Sequence, residues 1–144
     1  MCGISGIIAK NAINKENNID LMIKAQHHRG PDSNGKLFFE NCVLGHNRLS
    51  IVDLNTGQQP MKDKSEKKAI VLNGEIYGYK EIKEKLTEYQ FKTTSDTEVI
   101  LALYNKYGTE MMKYLPGMFS FAIWDDINQL LFCARDRFGE KPFY

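Results

Sequence analysis

The chain opens Met1-Cys2-Gly3-Ile4-Ser5-Gly6-Ile7-Ile8-Ala9, and the reading of this stretch decides the fold. Small and β-branched residues alternate from Cys2 to Ala9, which predicts a strand. Only an initiator methionine stands before Cys2, and a small residue behind Met1 permits its removal. Cys2 would then carry a free α-amine beside its own thiol. A thiol titrates near ~8.5 and an α-amine near ~7.7–8.0, so a proton can pass between them close to neutral pH. A nucleophile and its base in one residue is the logic of an N-terminal nucleophile. The competing reading is an exposed chain end without a role, since termini are usually frayed and tolerant.

Composition narrows the classes. The 144 residues are 42% hydrophobic and 26% charged, which fits one globular domain with a real core. A formal net charge of +1 leaves no electrostatic footprint for nucleic acid or an anionic membrane. Acids and bases interleave in Lys62-Asp63-Lys64-Ser65-Glu66-Lys67-Lys68, as in a solvated loop. No apolar run approaches a membrane span, and the N-terminus lacks the basic-then-apolar pattern of a signal peptide. Cys2, Cys42 and Cys133 have no paired spacing, so free thiols and a cytoplasmic location are expected. Cys42 and Cys133 fall in strand-like segments and are expected to be small buried hydrophobes. His27, His28 and His46 show no ligand spacing, so no metal site is expected.

Periodicity outlines the elements. Ile19, Met22, Ile23 and Gln26 recur at helical spacing, predicting a helix from Asn18 to about His28, broken by the turn Arg29-Gly30-Pro31-Asp32. Lys36–Phe39 and Val43–Leu49 read as strands of a hairpin across Glu40-Asn41. Leu54–Lys68 reads as a long loop. Ala69-Ile70-Val71-Leu72 is a short apolar run, hence a buried strand, ending at Asn73-Gly74, a turn dipeptide. Ile82, Leu86 and Tyr89 line one face of a second helix. Ser95-Asp96-Thr97-Glu98 matches a capping box, followed by the apolar face Val99, Ala102, Leu103 and a stop at Gly108. Phe119, Phe121 and Ile123 alternate in a strand from Met118 to Trp124, which turns over Asp125–Gln129 and returns as Leu130–Arg135. Arg135–Gly139 is a further turn, and Phe143-Tyr144 looks like the opening of another strand. Strands in mostly hairpin order with a few helices argue for an α+β layered fold rather than repeated βαβ units.

An acyl-transfer site needs an oxyanion hole and handles for the charged ends of its substrate. Asn73 and Gly74 offer a side-chain amide and a backbone N–H as an oxyanion pair, or an ordinary turn. Arg48 lies in the apolar run Leu44–Val52, where it must either snorkel outward or bind an anion such as an α-carboxylate. Asp96 either complements a helix dipole or binds a substrate ammonium. Glu75 is either a solvated surface acid or a second contact to that ammonium.

Taken together, Cys2-Gly3-Ile4-Ser5-Gly6, Arg29-Gly30-Pro31-Asp32, the RLSIVDL run from Arg48 to Leu54, Gly57-Gln58-Gln59-Pro60-Met61, Asn73-Gly74-Glu75-Ile76-Tyr77, Ser95-Asp96-Thr97-Glu98, Leu115-Pro116-Gly117-Met118-Phe119 and Arg135-Asp136-Arg137-Phe138-Gly139 resemble, in order, the N-terminal class II glutamine amidotransferase domain of glutamine-dependent asparagine synthetase. The resemblance implies a four-layer αββα N-terminal-nucleophile sandwich of two antiparallel sheets, truncated at its C-terminal end. It implies one amidotransferase domain over 1–144, with a mature start at Cys2. Cys2 would be the nucleophile on the glutamine side-chain amide, with Asn73 and Gly74 as the oxyanion hole. Arg48 would hold the α-carboxylate, Glu75 and Asp96 the α-ammonium, and the Ile51 and Val52 backbone would line the same pocket.

The reaction so implied releases glutamate and ammonia, the ammonia-donating half of asparagine synthesis from aspartate and ATP. No Ser-Gly-Gly pyrophosphate loop or other phosphate-binding glycine motif occurs, so ATP and magnesium are expected only in a synthetase domain absent from this chain. The implied partners are glutamine and a synthetase domain or chain that receives the ammonia, with no nucleic acid and no membrane, and a homodimer left open. Two alternatives stand beside this: a truncated, non-catalytic fragment or interaction module, and an amidotransferase domain serving another acceptor.

Overall fold

The computed structural model describes residues 1–50 and 57–144. The chain runs through β1 (Gly3–Ile8), α1 (Glu16–Ala25), β2 (Ser33–Phe38), β3 (Cys42–Arg48), β4 (Met61–Lys62), β5 (Lys68–Ile76), α2 (Tyr79–Glu84), α3 (Asp96–Tyr107), β6 (Gly117–Asp125) and β7 (Leu130–Arg135). Short 3-10 segments follow α1 at His27–Arg29 and α3 at Gly108–Tyr114. The strands form two antiparallel sheets, in the orders β1-β3-β2 and β4-β5-β6-β7.

Three apolar clusters stack these elements into four layers. Ile19 and Ile23 of α1 pack on Val43, with Ile7 and Phe38 beside them. Cys42 and Leu44 of β3 meet Ala69, Val71, Ala122 and Trp124 between the sheets. Ile70 and Leu72 of β5 and Phe119, Phe121 and Ile123 of β6 pack on Val99–Tyr104 of α3. The order is therefore α1, first sheet, second sheet, α3, an αββα sandwich. Because β3 is a central strand covered on both faces, all seven of its residues are buried, which is why its sequence reads as a continuous run rather than an alternation.

Several elements differ from the sequence expectation. Asn73-Gly74 makes no turn: β5 runs through it to Ile76, with Asn73 opposite Ser120 and Gly74 opposite Phe119. Glycine is needed there for close approach, since a Cβ on Gly74 would lie 2.2 Å from the Met118 carbonyl oxygen. The segment expected as a long loop contains β4, which pairs with Ala69 and Ile70 and closes a hairpin over Asp63–Glu66. The second helix is only Tyr79–Glu84; Leu86 and Tyr89 follow in successive turns.

The capping box is half formed. Ser95 Oγ accepts the Thr97 N–H, but the Glu98 carboxylate accepts from the Lys92 and Thr93 amides instead of reaching back to Ser95. Cys42 is fully buried as expected, whereas Cys133 is exposed because β7 is an edge strand. Phe143 and Tyr144 form no strand; Phe143 packs against the cluster between the sheets.

Candidate active site

The site lies at one end of the sandwich, where β1 begins and β3 ends. Antiparallel register puts Gly3 opposite Asn47, which brings the chain terminus to Arg48 and Leu49. The Leu49 amide donates to the Cys2 sulfur at 3.5 Å, and the thiol points back at the Leu49 carbonyl at 3.8 Å. Cys2 is half-buried, which leaves its sulfur a path to a ligand. Cys42, by contrast, is sealed in the core, where burial first and then the charge of Asp126 push its thiol up to about 12. A thiol held protonated in that way is no nucleophile.

The turn Arg29-Gly30-Pro31-Asp32 braces the end of β3. The Asp32 amide donates to the Arg48 carbonyl at 3.1 Å, and the Asp32 carboxylate accepts the Ser50 N–H at 2.7 Å. A Cβ on Gly30 would fall 2.4 Å from the Asn47 carbonyl oxygen, so only glycine lets the turn lie this close. Arg48 itself is buried, 4% exposed, and does not take the outward course that its place in an apolar run left open.

Cys2, Arg48, Asn73, Gly74, Glu75 and Asp96 all line one cavity of about 110 Å³. Six sequence-predicted site residues, from the chain start, β3, β5 and α3, therefore converge, while Ile51 and Val52 lie outside the described residues. Asn73 is buried and its Oδ1 has no hydrogen-bond partner. Asp96 is the first residue of α3, yet its carboxylate is not spent on the helix end alone. Asp96 Oδ2 accepts the Ile76 N–H at 3.0 Å, joining α3 to the end of β5. Burial raises the Asp96 carboxyl above its ordinary range, and neighbouring Glu75 pushes the same way, against the backbone amides that oppose it. Glu75 stays exposed at the rim.

Gln59 and Lys141 also line this cavity, and His46 lies behind it, without a role expected from the sequence. Gln59 Oε1 accepts the Leu72 N–H at 2.6 Å while its Nε2 donates to Thr97 Oγ1 at 3.2 Å, so one side chain ties β5 to α3 beneath Asn73. Lys141 reaches the cavity from the segment after β7, buried to 7% exposure, with its Nζ 2.9 Å from Met1 Sδ. His46 faces the space between the sheets and hydrogen-bonds the Leu72 carbonyl through Nε2 at 3.2 Å, which makes Nε2 the protonated nitrogen. Burial, the largest influence, lowers His46 to about 4, and the charge of Arg48 adds to it. The imidazole is therefore neutral at physiological pH. The hint of Gln59 in the sequence is that it falls inside a quoted motif, and Lys141 follows two residues after the last of them. Among the described residues, no three His, Cys, Asp or Glu side chains are grouped to hold a metal ion.

A cysteine beside the chain start, set at the end of an αββα sandwich of two antiparallel sheets, defines an N-terminal-nucleophile fold, and its cavity gathers two buried cations, Arg48 and Lys141, with the carboxylates of Glu75 and Asp96. Residues 1–144 match the family described as glutamine amidotransferase domain, and the chain belongs to that family. It is 43% identical to asparagine synthetase [glutamine-hydrolyzing] 1 of Bacillus subtilis, over all of this chain and 24% of that protein. It is 46% identical to putative asparagine synthetase [glutamine-hydrolyzing] 2 of Methanocaldococcus jannaschii, over all of this chain and 32% of that one. Amidase chyE of Penicillium rubens is 39% identical, again over the whole chain and 24% of its own length. The chain thus spans 24–32% of the length of these curated relatives. Among solved structures, the glutamine phosphoribosylpyrophosphate amidotransferase of Bacillus subtilis, complexed with ADP and GMP, matches 60% of this chain and 21% of its own at 24% identity and a TM-score of 0.48. No helix among the described residues is long and apolar enough to cross a membrane.

Proposed function

We propose that this chain hydrolyses the side-chain amide of glutamine, and that the ammonia released feeds the amidation of aspartate to asparagine. The observation that carries the reading is the placing of the Cys2 sulfur, with the Leu49 amide on it, in one cavity with Arg48, Glu75, Asp96 and Asn73. Glutamine carries one carboxylate, one ammonium and one scissile amide. The cavity offers one guanidinium for the first and two carboxylates for the second.

The chemistry begins with removal of Met1. The Cys2 thiol passes its proton to its own α-amine, and the sulfur adds to the amide carbon. Negative charge moves onto the amide oxygen, where the Asn73 side chain and the Gly74 N–H receive it. Collapse breaks the C–N bond as the α-ammonium protonates the departing nitrogen, which leaves as ammonia. Water then attacks the thioester, releasing glutamate and restoring the thiol. Ile51 and Val52 are assigned to the backbone wall of the glutamine pocket.

ATP, magnesium and aspartate are assigned to the synthetase portion of the longer relatives, either as a domain or as a separate chain. A cytoplasmic setting suits a free catalytic thiol. The test is covalent capture. An electrophilic analogue of glutamine should add one equivalent to Cys2 in the Met1-free chain, read by intact mass and peptide mapping. Excess glutamine should protect, and Cys2→Ala should take up none. Capture that ignores glutamine, or that persists in Cys2→Ala, would overturn the reading.

A further inference from the structure

We propose that Lys141 is an electrostatic residue of this site: once Met1 is removed, its ammonium faces Cys2 and favours negative charge on the sulfur and on the amide oxygen of the intermediate. The proposal rests on the reading of Cys2 as the nucleophile. Its starting point is a buried cation that the glutamine handles do not use.

Lys141 is 7% exposed and lines the same cavity as Cys2, Asn73 and Gly74. Its Nζ donates to the sulfur of Met1, the residue bonded directly to Cys2. A thioether is a weak acceptor, and among the described residues no carboxylate lies in ion-pair range of this ammonium. A buried ammonium with so poor a partner is unfavourable unless charge appears beside it. When Met1 leaves, that acceptor leaves too, and the ammonium borders the space from which the nucleophile works.

The position is held by design of the surrounding turn rather than by the lysine itself. The Asp136 carboxylate accepts four backbone N–H groups, from Phe119 at 3.2 Å, Phe138 at 3.1 Å, Glu140 at 2.9 Å and Lys141 at 3.1 Å. Phe119 is the register partner of Gly74. One carboxylate therefore fixes the Lys141 backbone to the strand that flanks the oxyanion pair.

Charge counting points to the role. Arg48 is matched to the substrate carboxylate, and Glu75 and Asp96 to its ammonium, so Lys141 is the charged side chain of the cavity with no counterpart on the substrate. Negative charge develops first on sulfur and then on oxygen, while the transferred proton rests on the Cys2 α-amine. Lys141 supplies a hydrogen bond and a field, and no bond to it forms or breaks.

The test compares alkylation of Cys2 in the Met1-free chain by iodoacetate, an anion, and iodoacetamide, its neutral analogue. Lys141→Met and Lys141→Gln should each lower the iodoacetate-to-iodoacetamide rate ratio by about three- to tenfold, the scale of losing one nearby charge in a partly solvated cleft. Lys141→Arg should keep the ratio, and the neutral variants should lose kcat for glutamine with KM little changed. A merely structural role would move both reagents together. If the wild type hydrolyses glutamine but the ratio is the same in both neutral variants, Lys141 has no such role and the nucleophile reading stands. If wild-type Cys2 is not alkylated and no glutamine is hydrolysed, the nucleophile reading fails and the role of Lys141 fails with it.

Discussion

The carboxylate of Asp96 accepts the backbone N–H of Ile76 at 3.0 Å, so the first residue of α3 holds the end of the strand that carries Asn73, Gly74 and Glu75. The same carboxylate is buried and its carboxyl is raised above the ordinary range, chiefly by that burial. An acid raised on folding lowers stability at neutral pH, because the unfolded chain ionises more readily. Asp96→Asn keeps an oxygen for Ile76 and removes the buried charge. We expect an unchanged or higher Tm together with a KM for glutamine raised about 30-fold or more, the effect of deleting one partner of a desolvated ion pair. Thermal melts and steady-state kinetics on one preparation check both signs.

Gly74 tests the geometry of the β5–β6 pair. Its missing Cβ would lie 2.2 Å from the Met118 carbonyl oxygen and 2.6 Å from the Phe119 Cα, both backbone atoms that cannot rotate away. Gly74→Ala should destabilise by about 1–3 kcal/mol, the usual range for overpacking. It should also reduce kcat, because Asn73 and Gly74, the proposed oxyanion pair, sit on the strand that must move. Urea unfolding gives the first quantity and glutamate release the second.

His46 gives the fold a pH dependence with a definite sign. Its folded-state value is depressed to about 4, first by burial, against an ordinary value of ~6.5 in the unfolded chain. The contribution to stability is complete above about pH 6.5 and is lost as pH falls towards 4, since only the unfolded chain binds the proton easily. The loss across that window is of order 3 kcal/mol. Urea midpoints between pH 7 and pH 4 should fall in the wild type and fall less in His46→Gln.

Gln59 bridges β5 and α3 through Leu72 and Thr97. Gln59→Ala leaves the Leu72 amide without its acceptor, which should cost about 1–3 kcal/mol. Because that amide adjoins Asn73, the loss should also appear as slower glutamine turnover. A stability loss with unchanged turnover would confine Gln59 to holding the layers together.

Much of this was readable in the chain, and the failures share a cause. The apolar runs of β3, β5 and β6 and the return strand β7 stand where the sequence predicts them, because each is apolar on the faces it buries. Asn73-Gly74 misled because its local turn propensity is overruled by β6, which pairs Gly74 with Phe119 and carries the ladder on to Ile76 and Gly117. Glu98 misled because three donors at Lys92 and Thr93 compete for its carboxylate. Cys2, Arg48, Asn73, Gly74, Glu75 and Asp96 could be named together because their motifs resemble one family, and the structure sets all six on one cavity. Lys141 was missed because only the closure of the fold carries it back to a residue 140 positions earlier.

The central claim is that Cys2, freed of Met1, hydrolyses glutamine. The most direct measurement is glutamate release by three forms of the chain: Met1-free, Met1-retaining, and Met1-free Cys2→Ala. The Met1-free wild type should turn over glutamine, and the other two should fall by about 10³-fold or more, the scale of removing a nucleophile or its base. No glutamate from the Met1-free wild type, or equal release from Cys2→Ala, would contradict it.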